Sequence, residues 1–161
     1  MKKIIVASGN KGKLREISEI LKGEYEVISM GEAGFTGDIV EDGSTFYENA
    51  LKKAKTVSES LGEDALADDS GLCVNALGGK PGIYSARYSG EHGNDALNRK
   101  KLLEEMQGVE DRTAKFVAAI VVYKKDGTII RGDGETFGKI AYKEEGNGGF
   151  GYDSIFISDD L

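Results

Sequence analysis

Ser8-Gly9-Asn10-Lys11-Gly12-Lys13 sets two glycines and two lysines on a turn that leaves an apolar strand and opens a helix. A strand-to-helix turn aims unpaired backbone N–H groups and the positive helix end at one point, which suits an anion. Gly9 and Gly12 permit close backbone approach, while Lys11 and Lys13 add charge. This is not a Walker A loop, because the terminal Gly-Lys-Ser/Thr and its spacing are missing. Read alone, the run fits an ordinary turn with surface lysines equally well.

Glu41 and the run Asp68-Asp69-Ser70-Gly71 supply carboxylates. Adjacent strand residues point to opposite faces, so Asp68 and Asp69 have different jobs: one faces a cleft and the other stabilises the loop. Two acids straight after an apolar strand are costly unless something offsets their charge, and a metal ion does so. Ser70 has a hydroxyl to offer a phosphate oxygen or the neighbouring acid. The plainer alternative is a solvated turn in which Asp68 caps local N–H groups.

A helix from about Phe46 carries Asn49 and Lys53 four residues apart, on one face. A lysine there reaches a phosphate or simply rests in solvent. Gly148-Gly149-Phe150-Gly151-Tyr152-Asp153 sets aromatics between glycines, a pattern suited to stacking against a nucleobase and equally to a turn with core aromatics. Asp153 adds an acceptor for a base edge, a sugar or a basic side chain. His92 has no partner at metal or triad spacing and reads as a surface residue. Cys73 reads as an inert buried thiol. Arg87 fits either a phosphate contact or a salt bridge that holds its loop.

These groups need elements to place them. Lys3–Ala7 reads as a buried strand. Leu14, Ile17, Ile20 and Leu21 recur at helical spacing over Lys11–Leu21, and Gly23 stops the run. Tyr25–Met30 reads as a strand. Ser44 or Thr45 caps a helix running to Leu61, with Glu48 at capping-box spacing from Thr45 and Gly62 at its end. Ala65–Ala67 and Leu72–Ala76 read as short strands on either side of the acidic run, followed by a glycine-rich loop over Leu77–Arg87. Asn94–Met106 reads as a helix. Ala114–Tyr123 and Thr128–Gly132 form strands joined at Asp126-Gly127, a hairpin signal. Phe137–Tyr142 and Ser154–Ile157 add further strands. Helices and strands interleave early and strands cluster late, which predicts an α/β fold on a mixed sheet.

With 161 residues, the chain is expected to form one domain with a substantial core. Its 39% hydrophobic and 30% charged residues are ordinary for a globular protein. No apolar run approaches the roughly 20 residues of a membrane helix. The apolar stretch after Met1-Lys2-Lys3 is too short for a signal peptide. A net charge of −7 argues against a protein that grips nucleic acid through counterion release, and no membrane partner is expected. One histidine and one cysteine are too few for a zinc site, so any metal is a hard cation held by oxygen, Mg²⁺ or Mn²⁺. The single cysteine also fits a reducing cytoplasm.

Five blocks, taken together and in order, resemble the inosine-triphosphate pyrophosphatase family of non-standard purine nucleotide hydrolases. They are Ser8-Gly9-Asn10 with Gly12-Lys13; Glu41-Asp42-Gly43 with Thr45-Phe46, Glu48-Asn49-Ala50 and Lys53-Ala54; Ala67-Asp68-Asp69-Ser70-Gly71-Leu72; Leu77-Gly78-Gly79 with Pro81 to Tyr88; and Gly148 to Asp153. The resemblance implies an elongated mixed β-sheet with flanking helices, in two lobes around a central nucleotide cleft. It implies Mg²⁺-dependent hydrolysis of ITP, dITP and XTP to the monophosphate and pyrophosphate, usually by a homodimer. By position, Asp69 is the implied general base and metal ligand, and Glu41 the second metal-side carboxylate. Ser8, Gly9, Asn10, Lys11, Gly12, Lys13, Lys53 and Ser70 would hold the triphosphate. Phe150, Gly151, Tyr152 and Asp153 would form part of the nucleoside pocket. Family members continue past the point matching Leu161 into a Ser-His-Arg segment and a helix, so residues 1–161 are expected to form the domain without that part. Two other readings compete: a Maf-type pyrophosphatase acting on other modified nucleotides, and a nucleotide-binding module without turnover.

Overall fold

In the computed structural model, residues 2–8, 11–37, 39, 42–90, 95–144, 152 and 154–159 are described, apart from the side chains of Lys11, Ala86 and Arg87. Seven strands form one mixed sheet in the order β2-β1-β3-β5-β6-β7, with β4 pairing β3 off this path. The strands are β1 (Lys2–Val6), β2 (Tyr25–Ser29), β3 (Ala65–Val74), β4 (Lys80–Pro81), β5 (Thr113–Tyr123), β6 (Ile129–Ile140) and β7 (Phe156–Ser158). The helices are α1 (Lys11–Leu21), α2 (Phe46–Leu61) and α3 (Asp95–Glu105). The mixed α/β class read from the sequence is the class observed. The chain divides into two compact units, residues 1–69 with 119–133 and residues 70–118 with 134–161.

In the first unit, β1 lies parallel to both β2 and β3. Its apolar run Ile4-Ile5-Val6 is fully buried, as expected for a central strand covered on both faces. Ile5, Ala7, Ala65, Ala67 and Val121 pack with Ala50, Ala54 and Val57 of α2. The small side chains on that face of α2 let the helix lie close to the sheet. Thr45 caps α2 by accepting Glu48 N–H, and Gly62 ends it at φ 67°, where a side chain is disfavoured. The other half of the capping box is shifted: the Glu48 carboxylate takes the N–H of Ser44, not that of Thr45.

The apolar stripe of α1 is narrower than the sequence suggests. Leu14, Ile17 and Leu21 fall within about 60° of arc, and Ile20 lies about 60° beyond it, at 100° per residue. Ile20 is 79% exposed.

In the second unit, Leu72, Val74, Leu102, Met106, Ile140, Tyr152 and Ile155 form the core. The loop read over Leu77–Arg87 contains structure of its own. Lys80–Pro81 pairs antiparallel with Cys73–Val74, and Gly82–Arg87 forms 3-10 turns. Buried Arg112 directs its guanidinium to the carbonyls of Met106, Ile140 and Ala141, at 2.6–3.1 Å.

Two strands are longer than their sequence patterns. β3 continues through Asp68-Asp69-Ser70-Gly71, because the groups that favour a turn find partners in extended backbone, as described below. β6 joins 128–132 to 137–142 as one strand whose residues are exposed as far as Phe137, so no apolar alternation marks it. The Asp126-Gly127 hairpin read from the sequence is present, with Gly127 N–H donating to Lys124 O at 2.8 Å. Among the described residues no helix is long and apolar enough to cross a membrane.

Candidate functional site

The pairing of β1 with β3 assembles the candidate groups of the first unit. Ile5 is opposite Ala65 and Val6 opposite Leu66, and Ala7 N–H donates to Leu66 O at 2.8 Å. The two parallel strands therefore end side by side. β1 gives way to Ser8, and β3 carries Asp68 and Asp69 just beyond the paired residues. Carboxyl ends of parallel strands are where open α/β sheets gather ligand-binding groups.

Asp68 and Asp69 diverge, as neighbours on a strand must. The Asp68 carboxylate pairs with Lys13 Nζ at 3.0 Å, and both side chains are largely buried. Lys53 Nζ donates to the Asp68 carbonyl at 2.5 Å. Two ammonium groups, one from the first turn of α1 and one from α2, thus converge on one residue. Asp69 instead accepts the Nδ2–H of Asn49 at 3.1 Å. Asn49 and Lys53 sit one turn apart, so a single face of α2 serves both acids.

Asn49 is 1% exposed, and its Oδ1 accepts Gly43 N–H at 2.7 Å. A Cβ on Gly43 would lie 2.7 Å from both Asn49 Oδ1 and Glu48 Cβ, so the backbone approaches this closely only because residue 43 is glycine. Nearby, Asp42 pairs with Lys52 at 2.8 Å, and that hydrogen bond and charge hold its exposed carboxyl below the usual range.

Of the residues singled out from the sequence, the structure brings Ser8, Lys13, Lys53, Asp68 and Asp69 to this edge. Lys11 and Gly12 open α1, and Ser70 follows Asp69 along β3. Gly9, Asn10, Glu41, His92, Phe150, Gly151 and Asp153 lie outside the described residues. Tyr152 belongs to the second unit, where it is 4% exposed and donates its hydroxyl to Ser85 O at 2.6 Å. Burial, with smaller contributions from the charges of Tyr88 and Asp95, pushes its hydroxyl well above the usual tyrosine pKa. Its ring is thus a core ring. Half-buried Cys73 has its thiol pKa raised, chiefly by burial, and is not poised as a thiolate.

Asn49 receives no role from the sequence, although a signal is there: an amide directly precedes Ala50 on the face that Ala50 and Ala54 bury. Among the described residues no three acids, histidines or cysteines cluster closely enough to hold a metal on their own. Asp69 offers oxygen only, and it accepts one hydrogen bond from Asn49. This fits a hard cation of the Mg²⁺ type, which needs one or two carboxylates and takes its other ligands from water and phosphate.

Two lysines and two carboxylates meet at the adjacent ends of two parallel strands in this α/β protein. The Ham1 family model matches residues 4–161, and the chain belongs to that family. It is 50% identical over 161 residues to a dITP/XTP pyrophosphatase of Haemophilus influenzae, covering 97% of this chain and 82% of that one. The solved Ham1 protein of Staphylococcus aureus superimposes with a TM-score of 0.88 at 42% identity, over 99% of this chain and 82% of that one. A nucleoside-triphosphatase/dITP/XTP pyrophosphatase structure from Mycobacterium abscessus gives 0.82 at 40% identity, over 98% and 84% of the two chains.

Proposed function

We infer that the chain is a hydrolase that cleaves non-standard purine nucleoside triphosphates, dITP and XTP among them, to the monophosphate and pyrophosphate. The observation that carries this reading is the convergence of Lys13 and Lys53 on Asp68, with Asp69 on the opposite side of the strand. It sits in a chain half identical to a dITP/XTP pyrophosphatase.

In this reading the Ser8–Lys13 turn, Lys53 and Ser70 bind the triphosphate. Lys13 and Lys53 bring two positive charges beside Asp68, which suits the anionic phosphates. Asp69 accepts the proton of a water that attacks phosphorus, and pyrophosphate leaves. Glu41 and Asp69 would hold Mg²⁺, or Mn²⁺ in its place, which when bound neutralises charge on the phosphate oxygens. Residues 150–153 would contribute to the nucleoside pocket. A site that accepts N1–H and offers no partner to a 6-amino group favours 6-oxo purines over adenine. The reading extends to a homodimer working in the cytoplasm, with neither nucleic acid nor membrane as partner.

The test is pyrophosphate release from dITP, XTP, dATP, dGTP, dUTP and methylated pyrimidine triphosphates, with and without Mg²⁺. dITP and XTP should be turned over fastest, and only with the metal. Asp69→Asn should lower kcat by about 10²–10⁴, the usual contribution of a general base, with dITP binding retained. Preference for a pyrimidine, or binding of dITP without turnover, would overturn the reading.

A further inference from the structure

Asn49 joins two pieces of backbone that are distant in sequence, and the orientation of its amide is fixed by chemistry. Gly43 N–H can only donate, so the atom facing it at 2.7 Å is the amide oxygen. The NH₂ group is thereby turned to Asp69 Oδ2, at 3.1 Å, and an ionised carboxylate only accepts. A 1% exposed amide with both ends engaged in this way has one rotamer available. The turn before α2 is fastened a second time, by Ser44 N–H to the Glu48 carboxylate at 2.6 Å and Glu48 N–H to Thr45 Oγ1 at 3.1 Å. Gly43 therefore has little freedom to move away from Asn49. Asn49 itself stands on a helix whose neighbouring face is packed through Ala50 and Ala54, so its Cα is fixed as well.

We propose that Asn49 is a positioning residue: its amide, held by Gly43, sets the rotamer of the Asp69 carboxylate and couples it to the turn at residues 43–45. This rests on the reading of Asp69 as the base. The amide of Asn49 engages Gly43 N–H and the Asp69 carboxylate, not an ammonium, so its loss should act on turnover and spare nucleotide binding. An error of about 1 Å in a reacting group typically costs on the order of 100-fold in rate.

The experiment compares Asn49→Ala, Gly43→Ala, Asp69→Asn and a double variant that combines Asn49→Asp with Asp69→Asn, all in the full chain. It records kcat and KM for dITP, calorimetric affinity for dITP in EDTA, and melting temperature. Asn49→Ala should lower kcat about 100-fold with affinity close to the parent. Gly43→Ala deletes no polar group yet pushes on Asn49 Oδ1, and should lower kcat in the same way. In the double variant the carboxylate now at position 49 still accepts from Gly43 N–H and also accepts from the amide now at position 69. Its melting temperature should therefore match the parent while turnover stays lost. An unchanged kcat for folded Asn49→Ala or Gly43→Ala protein would reduce the amide to a structural tie and overturn the proposal. A weakened dITP affinity with unchanged kcat would overturn it too, by moving Asn49 to substrate binding. Asp69→Asn distinguishes the deeper failure: if that variant keeps its turnover, the base itself is misassigned and both readings fall.

Discussion

Both units bury polar side chains, but they use them differently. In the second unit the buried polar groups are directed mainly to backbone. Arg112, 8% exposed, gives its guanidinium to three carbonyls and has no carboxylate among these partners. Tyr152 gives its hydroxyl to Ser85 O, and Ser85 Oγ both receives Leu72 N–H and donates to Gly82 O. Tyr88, buried against α3, departs from this pattern and donates to the Glu105 carboxylate. In the first unit the polar side chains at the ends of β1 and β3 mainly engage one another: Lys13 meets the Asp68 carboxylate and Asn49 meets Asp69, while Lys53 takes the Asp68 carbonyl. A side chain committed to carbonyls maintains a fold, whereas one balanced against another charge can exchange partners. Burial alone does not separate a site from a scaffold; the identity of the partner does.

The largest effects should sharpen that contrast. Asp69→Asn should remove turnover and leave the melting temperature nearly unchanged. Arg112→Met should do the opposite. It strands three carbonyl acceptors, each costing about 1–3 kcal/mol when left unpaired. A loss of at least about 3 kcal/mol, or roughly 6–12 °C in melting temperature, follows for a chain of this size. Turnover per folded molecule should not change. Equal losses of activity and stability in both variants would erase the distinction between the units.

The second unit also makes a pH prediction. Tyr88 and Tyr152 both have hydroxyl pKa values raised by burial, helped in Tyr88 by the Glu105 hydrogen bond. Their folded values lie above the unfolded value near 10, so the stability they supply is fully present below pH 10 and is lost as pH rises beyond it. Each should contribute a slope of up to about 1.4 kcal/mol per pH unit above that point. Denaturant midpoints measured from pH 9 to 11.5 should therefore fall, and Tyr152→Phe should flatten the fall. An identical slope in the variant would remove Tyr152 from this account.

How much of this is legible in the sequence depends on how local the determinant is. The bounds of α2 can be read because Thr45, Glu48 and Gly62 act within one turn of their own positions. The strand-turn-helix opening is legible for the same reason. β3 reads as broken at Asp68 because residue type argues for a turn there, while partners distant in sequence, Lys13, Lys53 and Asn49 among them, meet it in extended backbone. Ile20 is misplaced when its apolar type is given weight over its angle on the helix. Asn49 escapes notice because its importance depends on Gly43 and Asp69 meeting it in space. The burial of Tyr152 is not legible because aromatics between glycines have the same appearance in a loop and in a core.

The smallest effect compares the two ends of α2. Thr45→Ala removes the cap and should cost about 1 kcal/mol. Gly62→Ala forces a side chain into left-handed backbone at φ 67°, with no heavy atom within 4 Å of the added carbon, and should cost about 1–2 kcal/mol. The two variants are thus close in stability and differ in what they loosen. Thr45 lies in the turn that holds Gly43 against Asn49, whereas Gly62 lies at the far end of the helix. If the clamp on Asp69 governs turnover, Thr45→Ala should lower kcat several-fold, and Gly62→Ala should leave it unchanged at an equal or larger loss of melting temperature. Parallel losses of kcat from both ends would mean that α2 acts as one rigid body, and that the turn before it has no separate hold on the carboxylate.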